Sequence, residues 1–385
     1  MNKEVEQNEV LDSLFKQHKE NALCGRYITS KHIIPLLKEH SKKFKIQVVG
    51  QSVLKESIHS ITIGSGKKKI LMWSQMHGNE STTTKAIFDL LNFFIDNQSA
   101  DNILKECTLV IIPILNPDGA TAYTRVNANA IDLNRDAQNL TQPESIVLNT
   151  VFNNFKPHYC FNLHGQRTIF SAGNSGNLAS VSFLAPAQDI ACTITDNRKI
   201  AMSIIVKMNT MLQVAIPNQV GIYDDTFNIN CVGDTFQSYN VPTLLFEAGH
   251  CANDYEREEV RRLIFQSYVI AIKTIVHDQI DSKDYKDYLK MPQNQKLFFD
   301  IIIKNAKYKD EKRDIAIQYH EQLIDGKIHF IPKVEKIENL DAFYAHKYID
   351  ANDSAVFDAN YTPVELGSEN DFVLINKAKY SLLFI

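Results

Sequence analysis

Several things are missing from this 385-residue chain, and each omission closes a class of function. There is no basic surplus: 41 lysines and arginines stand against 45 aspartates and glutamates, for a net charge of −4. Without excess cations to displace the counterions of a phosphate backbone, nucleic acid is not expected as a partner. No apolar run approaches the roughly 18 residues that span a bilayer, so no membrane partner is expected either. The amino terminus, Met1-Asn-Lys-Glu-Val-Glu-Gln-Asn-Glu, is polar and lacks the apolar core of a signal peptide. The six cysteines (Cys24, Cys107, Cys160, Cys192, Cys231 and Cys251) never fall in C-x-x-C spacing, and several lie in apolar segments. They read as reduced core thiols rather than as a disulfide framework or a metal knuckle. The expected location is cytoplasmic. Internal repeats and low-complexity tracts are absent as well.

What remains is ordinary globular composition, 44% hydrophobic and 22% charged. The length has room for one large domain and a smaller one. Residues 1–45 carry helical patterns (Val10, Leu11, Leu14, Phe15; then His32 to His40) and no chemistry of their own. Residues 46–280 read as a main α/β domain. Ile46-Gln-Val-Val and Ile58-His-Ser-Ile-Thr-Ile fit an edge hairpin, and Ile70 to Trp73 a buried strand leading into a helix through Ile87, Leu90, Leu91 and Phe94. Thr108 to Leu115 is nearly all apolar, as a strand covered on both faces should be, and ends in the turn signal Asn116-Pro-Asp-Gly119. Further strands end at His164, near Ala185 and at Glu247, with a long helix over 189–212 and a closing helix over 254–277. Residues 281–385 read as a helical connector to about Asp310, then a small β-rich appendage in which Asp325-Gly326 signals a hairpin. His320 and His329 flank that turn and are read as a solvated pair facing each other across the strands.

Three polar groups stand at strand ends in this predominantly parallel sheet, where α/β folds place their ligands. They are His77 with Glu80, then His164, then Glu247. Two histidines and a carboxylate form the ligand set of a catalytic zinc that keeps a position for water, and hydrolysis still needs a base. Glu247 follows Leu244, Leu245 and Phe246, where a carboxylate is costly unless it has a task. Arg125, Asn134 and Arg135 supply donors for an anionic substrate, arginine being suited to a two-pronged grip on a carboxylate.

In this order, His77-Gly-Asn-Glu80, Asn116-Pro-Asp-Gly119, Arg125, Asp132-Leu-Asn-Arg135, His164 and Glu247 resemble the zinc metallocarboxypeptidases of the carboxypeptidase A type. The likeness runs over roughly residues 46–277, and the short loop between Asn116 and Asp132 is similar to the compact bacterial form. The resemblance implies a catalytic domain over 46–280 with a predominantly parallel mixed sheet sandwiched by helices. It implies Zn2+ held by His77, Glu80 and His164, and Glu247 as general base. Arg125 would polarise the scissile carbonyl, Asn134 and Arg135 would bind the substrate's free carboxylate, and Asp132 would orient His77 from behind. Tyr223 is the nearest candidate for the family's substrate-capping tyrosine, although its flanking Asp224-Asp-Thr-Phe-Asn departs from the digestive-enzyme loop. His250 is read as a structural histidine.

The expected activity is release of a carboxyl-terminal amino acid from a peptide. An N-acyl-amino-acid hydrolase, resembling aspartoacylase and succinylglutamate desuccinylase, is the alternative; either would take a substrate with a free carboxylate. Asn116-Pro-Asp-Gly119 favours the peptidase. A binding module without activity would be expected to have lost a ligand or the base, and all are present. The segment before the base carries Asp224, Asp225 and Asp234 with no lysine or arginine of its own, which suggests a cationic terminal residue unless these aspartates cap turns and the helix starting near Asp234.

Overall fold

The structure, a computed structural model, describes residues 3–96, 98–281 and 283–384. It divides into two compact units, Met1–Gln166 with Asn177–Asn294, and Arg167–Gly176 with Gln295–Ile385.

Unit 1 opens with α1 (Lys3–His18) and α2 (Ser30–His40), followed by the hairpin β1 (Lys45–Gln51) and β2 (Ser57–Gly64). Then come β3 (Lys68–Trp73), α3 (Thr82–Asp96), α4 (Gln98–Glu106), β4 (Cys107–Ile112), α5 (Pro117–Ala122), α6 (Pro143–Phe155) and β5 (Tyr159–Gly165). After β6 (Phe170–Ala172), which belongs to unit 2, the chain continues as β7 (Val181–Leu184), α7 (Asp196–Ala215), β8 (Val220–Ile222), α8 (Val232–Ser238), β9 (Thr243–Ala248), α9 (Glu258–Val276) and α10 (Tyr285–Tyr288).

Eight strands of unit 1 form one mixed sheet in the order β1-β2-β4-β3-β5-β9-β7-β8. The central run β4-β3-β5-β9 is parallel, β7 and β8 are parallel, and the remaining neighbours are antiparallel. Strand β3 shows why the sheet is a middle layer. Ile70 and Met72 enter one core with α1, α3, α7 and α9, while Leu71 and Trp73 enter the other with α6 and α8. Alternating side chains of one strand thus fill both faces, and helices cover each. Between α3 and α9 a bidentate ion pair is fully buried: Arg261 Nε donates to Asp89 Oδ2 (2.7 Å) and Nη2 to Oδ1 (2.6 Å).

In unit 2, β11 (Phe298–Tyr308), β12 (Glu311–Ile324), β13 (Lys327–Glu338) and β14 (Tyr344–Asp350) form a sheet in the order β13-β12-β11-β14. Strands β15 (Val356–Phe357), β16 (Phe372–Ile375) and β17 (Ala378–Ser381) form a second sheet, and β10 (Asn294–Lys296) pairs with β6. Ile301, Ile303, Ile315, Ile317, Val334 and Val373 fill the core of this unit.

Some local readings change. The connector after Asp281 holds one helical turn, α10, and residues 298–308 are strand β11: Ile301-Ile302-Ile303 is buried throughout, a run that has no helical period to follow. The long helix starts at Asp196, because the Thr195 side chain caps it by accepting from Arg198 N (3.2 Å). Between α7 and β9 the chain forms β8 and α8. The β12–β13 hairpin does turn at Asp325-Gly326, but His329 lies opposite Gln322, while His320 lies opposite Ile331 and bonds Glu335 (2.8 Å). The two histidines do not face each other.

Candidate metal centre

His77 and Glu80 sit in the short connection from β3 to α3, and its shape is set by the chain beneath it. Gln75 turns with a positive φ of 44°, and its side-chain amide donates to the carbonyls of Ile28 and Gly78. Gly78 must be glycine: a Cβ there would lie 1.9 Å from the Gly119 carbonyl carbon of α5. That close approach explains the Asn116-Pro-Asp-Gly119 motif. Asn116 caps α5 by accepting from Gly119 N (2.9 Å) and donates to the Met76 carbonyl (3.2 Å), one residue before His77. Pro117 opens α5, where its missing N–H costs nothing. Asp118 accepts from Ser52 Oγ (2.7 Å) and Leu54 N (2.9 Å), tying the turn to the β1–β2 connection. Just before α3, the Ser81 hydroxyl donates to the Arg26 carbonyl (2.5 Å).

His164 arrives from the end of β5, next to the end of β3 in the sheet. His77 Nδ1 lies 2.8 Å from Glu80 Oε1, His164 Nδ1 lies 3.0 Å from Glu80 Oε2, and the two Nδ1 atoms are 3.1 Å apart. Tetrahedral zinc with bonds of about 2.0–2.1 Å holds its ligand atoms about 3.3 Å from one another. Three lone-pair donors already converge on that spacing, and among the described residues they form the cluster able to hold a cation. Gly165 N donates to Glu80 Oε2 (3.0 Å), fixing the carboxylate.

Behind the cluster, His77 Nε2 lies 3.1 Å from Asp132 Oδ1. Asp132 also caps the short 3-10 turn Leu133–Arg135 by accepting from Asn134 N (2.9 Å). Its second oxygen accepts from Arg125 Nε (3.1 Å), and Arg125 Nη1 reaches toward Glu80 Oε1 (3.5 Å). Burial opposes charge on Glu80 and Asp132, but the charges and hydrogen bonds of the histidines outweigh it and hold both carboxyls well below the usual range. Burial keeps His164 below its ordinary value against the pull of Glu80, which favours the neutral imidazole that a metal needs.

Glu247 stands opposite His164 in the parallel β5–β9 register. Its Oε2 is buried and hydrogen-bonded to nothing among the described residues, and so is His164 Nε2. Burial first, then the charge of Glu80, pushes the Glu247 carboxyl well above the ordinary range, with Arg125 pulling the other way. A carboxyl kept this basic beside a cation site is suited to accept a proton.

The remaining candidates named from the sequence have hydrogen-bond partners of their own. Asn134 Oδ1 accepts from Val232 N (3.0 Å), and Arg135 Nη1 donates to the Asn134 carbonyl (2.7 Å) and to Cys231 Sγ (3.1 Å). Tyr223 O–H donates to Gln166 Oε1 (2.8 Å). His250 is buried and packs its ring against Tyr255 with centroids 4.7 Å apart. The three aspartates before Glu247 are committed elsewhere. Asp224 caps a turn by accepting from Thr226 N (2.8 Å), Asp225 pairs with Arg198 of α7, and Asp234 accepts from Asn228 N (3.1 Å). The segment has no cation of its own, but Arg198, 27 residues earlier, supplies one, so the expectation of a cationic terminal residue loses its basis at Asp225. Cys231, Gln166 and Asn294 are site neighbours that the sequence did not single out; no motif marks them.

A zinc carboxypeptidase family model matches residues 31–342. Carboxypeptidase 2 of Trichophyton rubrum is 30% identical over 111 residues, which is 28% of this chain and 20% of that protein. The chain therefore spans about a fifth of the length of that curated relative. Two solved structures share the fold. A metallo-carboxypeptidase from Burkholderia cenocepacia aligns with a TM-score of 0.52 at 16% identity, over 66% of this chain and 70% of the other. Carboxypeptidase A from Helicoverpa armigera aligns with a TM-score of 0.53 at 16% identity, over 71% and 81%. No helix among the described residues is long and apolar enough to cross a membrane. With its family model matched over most of its length, the chain belongs to the zinc carboxypeptidase family.

Proposed function

We propose that this protein is a zinc-dependent metallocarboxypeptidase that releases the carboxyl-terminal amino acid of a peptide. The observation that carries the reading is the meeting of His77 Nδ1, Glu80 and His164 Nδ1 within about 3 Å of one another, with the buried Glu247 one strand away. The family and the donor set both favour zinc as the cation. A zinc ion bound there supplies Lewis acidity to a peptide carbonyl and acidifies water to near neutrality.

The chain's own residues do the rest. Glu247 takes the proton of the attacking water on its unpartnered oxygen and later gives it to the leaving amine. Asp132 holds His77 in the tautomer that carries its proton on Nε2, leaving Nδ1 to face the cation. Arg125, half-exposed between Glu80 and Asp132, is placed to steady negative charge developing on the substrate oxygen. Arg135 and Asn134 are assigned to the terminal carboxylate, with Cys231 and the Asn134 carbonyl holding the guanidinium in place.

The six free thiols favour a cytoplasmic location. The test of function is a substrate panel: short peptides with varied terminal residues set against N-acyl amino acids, with zinc present. Release of terminal amino acids from peptides supports the reading. Cleavage of N-acyl amino acids alone transfers the chain to the acyl-amino-acid hydrolases.

A further inference from the structure

We propose that Gln166 and Asn294 are positioning residues that hold the Tyr223 phenol inside the site before any substrate arrives. The proposal rests on the carboxypeptidase reading for its kinetic consequence, but not for its geometry.

Gln166 lies two residues beyond His164, and each of its polar groups is committed. Its N–H donates to the Ala248 carbonyl (2.9 Å), and its carbonyl accepts from Arg257 Nη2 (3.1 Å). Its side-chain Nε2 donates to the Ala179 carbonyl (2.6 Å), which sets the amide so that Oε1 faces Tyr223. That oxygen accepts from Tyr223 O–H (2.8 Å) and from Asn294 Nδ2 (3.1 Å). Gln166 is 7% exposed, and its amide cannot turn without breaking several buried bonds.

Asn294 is brought there by the backbone. Ile222 N donates to the Pro292 carbonyl (2.9 Å), and Ile222 and Gln293 form a parallel bridge, so the following residues Tyr223 and Asn294 run side by side. Gly221 makes room: a Cβ at that position would lie 1.9 Å from Asn294 Oδ1. Asn294 Nδ2 also donates to Ser182 Oγ (2.9 Å), and Ser182 is the β7 partner of Glu247 in the sheet. The network therefore runs from the strand beside the proposed base to the phenol. Burial first, then the charges of Glu247 and Glu80, pushes the Tyr223 hydroxyl up and keeps it protonated.

The phenol gives its one proton to Gln166 and is hydrogen-bonded by the Asn294 side chain as well, so the ring is held from two sides. A tyrosine already ordered in this position saves the entropy of fixing it on binding.

The test is a double-mutant cycle of Asn294→Ala and Tyr223→Phe on zinc-loaded full-length protein, with kcat and KM measured on an N-acylated dipeptide. In parallel, 3-fluorotyrosine is incorporated, and the 19F resonance missing from Tyr223→Phe is assigned to Tyr223. Asn294→Ala is expected to lower kcat/KM about tenfold, chiefly through KM, and to have almost no effect in the Tyr223→Phe background. The Tyr223 resonance should shift and broaden in Asn294→Ala while zinc content stays at the wild-type level. Full additivity of the two substitutions, or an unmoved resonance, overturns the proposal. If Asn294→Ala does not fold, Asn294→Asp keeps the size and removes the N–H donor, and the same outcomes apply. If the wild type cleaves no peptide, the carboxypeptidase reading fails, and the resonance alone decides the positioning claim.

Discussion

His164 and Glu247 occupy paired positions on adjacent parallel strands, each with one buried polar atom that meets no hydrogen-bond partner among the described residues. Register pairing puts a proposed metal ligand and a proposed base at the same depth in the sheet, at the carboxyl ends where the connections leave room for a substrate. Neither residue can move along its strand without breaking the ladder, so their separation is a property of the sheet rather than of a loop.

Glu247→Gln should therefore lower turnover by about 10²–10⁴-fold while leaving the fold and zinc content intact. The amide has nearly the same shape but cannot take the proton from water. Turnover close to wild type at equal metal content would remove Glu247 from the mechanism.

Asp132→Ala should weaken zinc affinity about 10–100-fold. The substitution removes the acceptor that fixes the His77 tautomer and also frees Arg125. A competition titration with a chelator reads the change, and an affinity equal to wild type would show that Asp132 acts only as the cap of the 3-10 turn.

The buried pair between α3 and α9 makes a stability prediction far from the site. Asp89→Ala removes the two-pronged partner of the buried Arg261 guanidinium, leaving it Glu258 and the carbonyls of Leu23 and Glu20, and should cost about 1.5–3 kcal/mol in urea unfolding. Replacing both residues, as Asp89→Leu with Arg261→Met, should recover most of that loss. A single substitution costing under about 1 kcal/mol would mean that water reaches the pair.

Asp234 gives a pH-dependent prediction. Burial pushes its carboxyl up to about 6, against the hydrogen bond from Asn228 and the charges of Arg135 and Arg198. A carboxyl whose folded pKa is raised favours the folded state when protonated; that contribution is complete below the unfolded value of 3.8 and is lost as pH rises through about 6. Asp234→Asn keeps an oxygen for Asn228 and removes the ionisation. Its melting temperature should exceed that of wild type at about pH 8, and the gap should close on acidification below the folded pKa. A gap that does not change with pH would contradict this.

The parts of the protein that follow short-range rules could be read in the sequence. The strand ends near His77, at His164 and at Glu247, and the hairpin turn at Asp325-Gly326, each depend on residues within a few positions of one another; Asn116-Pro-Asp-Gly119, read as a turn, opens the short helix α5. What escaped depends on distant pairing. Asp225 meets Arg198 across 27 residues, and Asn294 meets Gln166 across 128, and no local pattern announces either. Strand β11 was hidden for another reason: its three consecutive buried isoleucines fit a buried helix as well as a strand until their partners are known.

The central claim is that one zinc ion sits among His77, Glu80 and His164. Its most direct test is anomalous diffraction at the zinc edge from crystals of the zinc-loaded protein. The account predicts one peak at about 2.0–2.1 Å from His77 Nδ1 and His164 Nδ1 and about 2.0–2.2 Å from a Glu80 oxygen, lost in His164→Ala. A peak elsewhere, or one that survives that substitution unchanged, would contradict it.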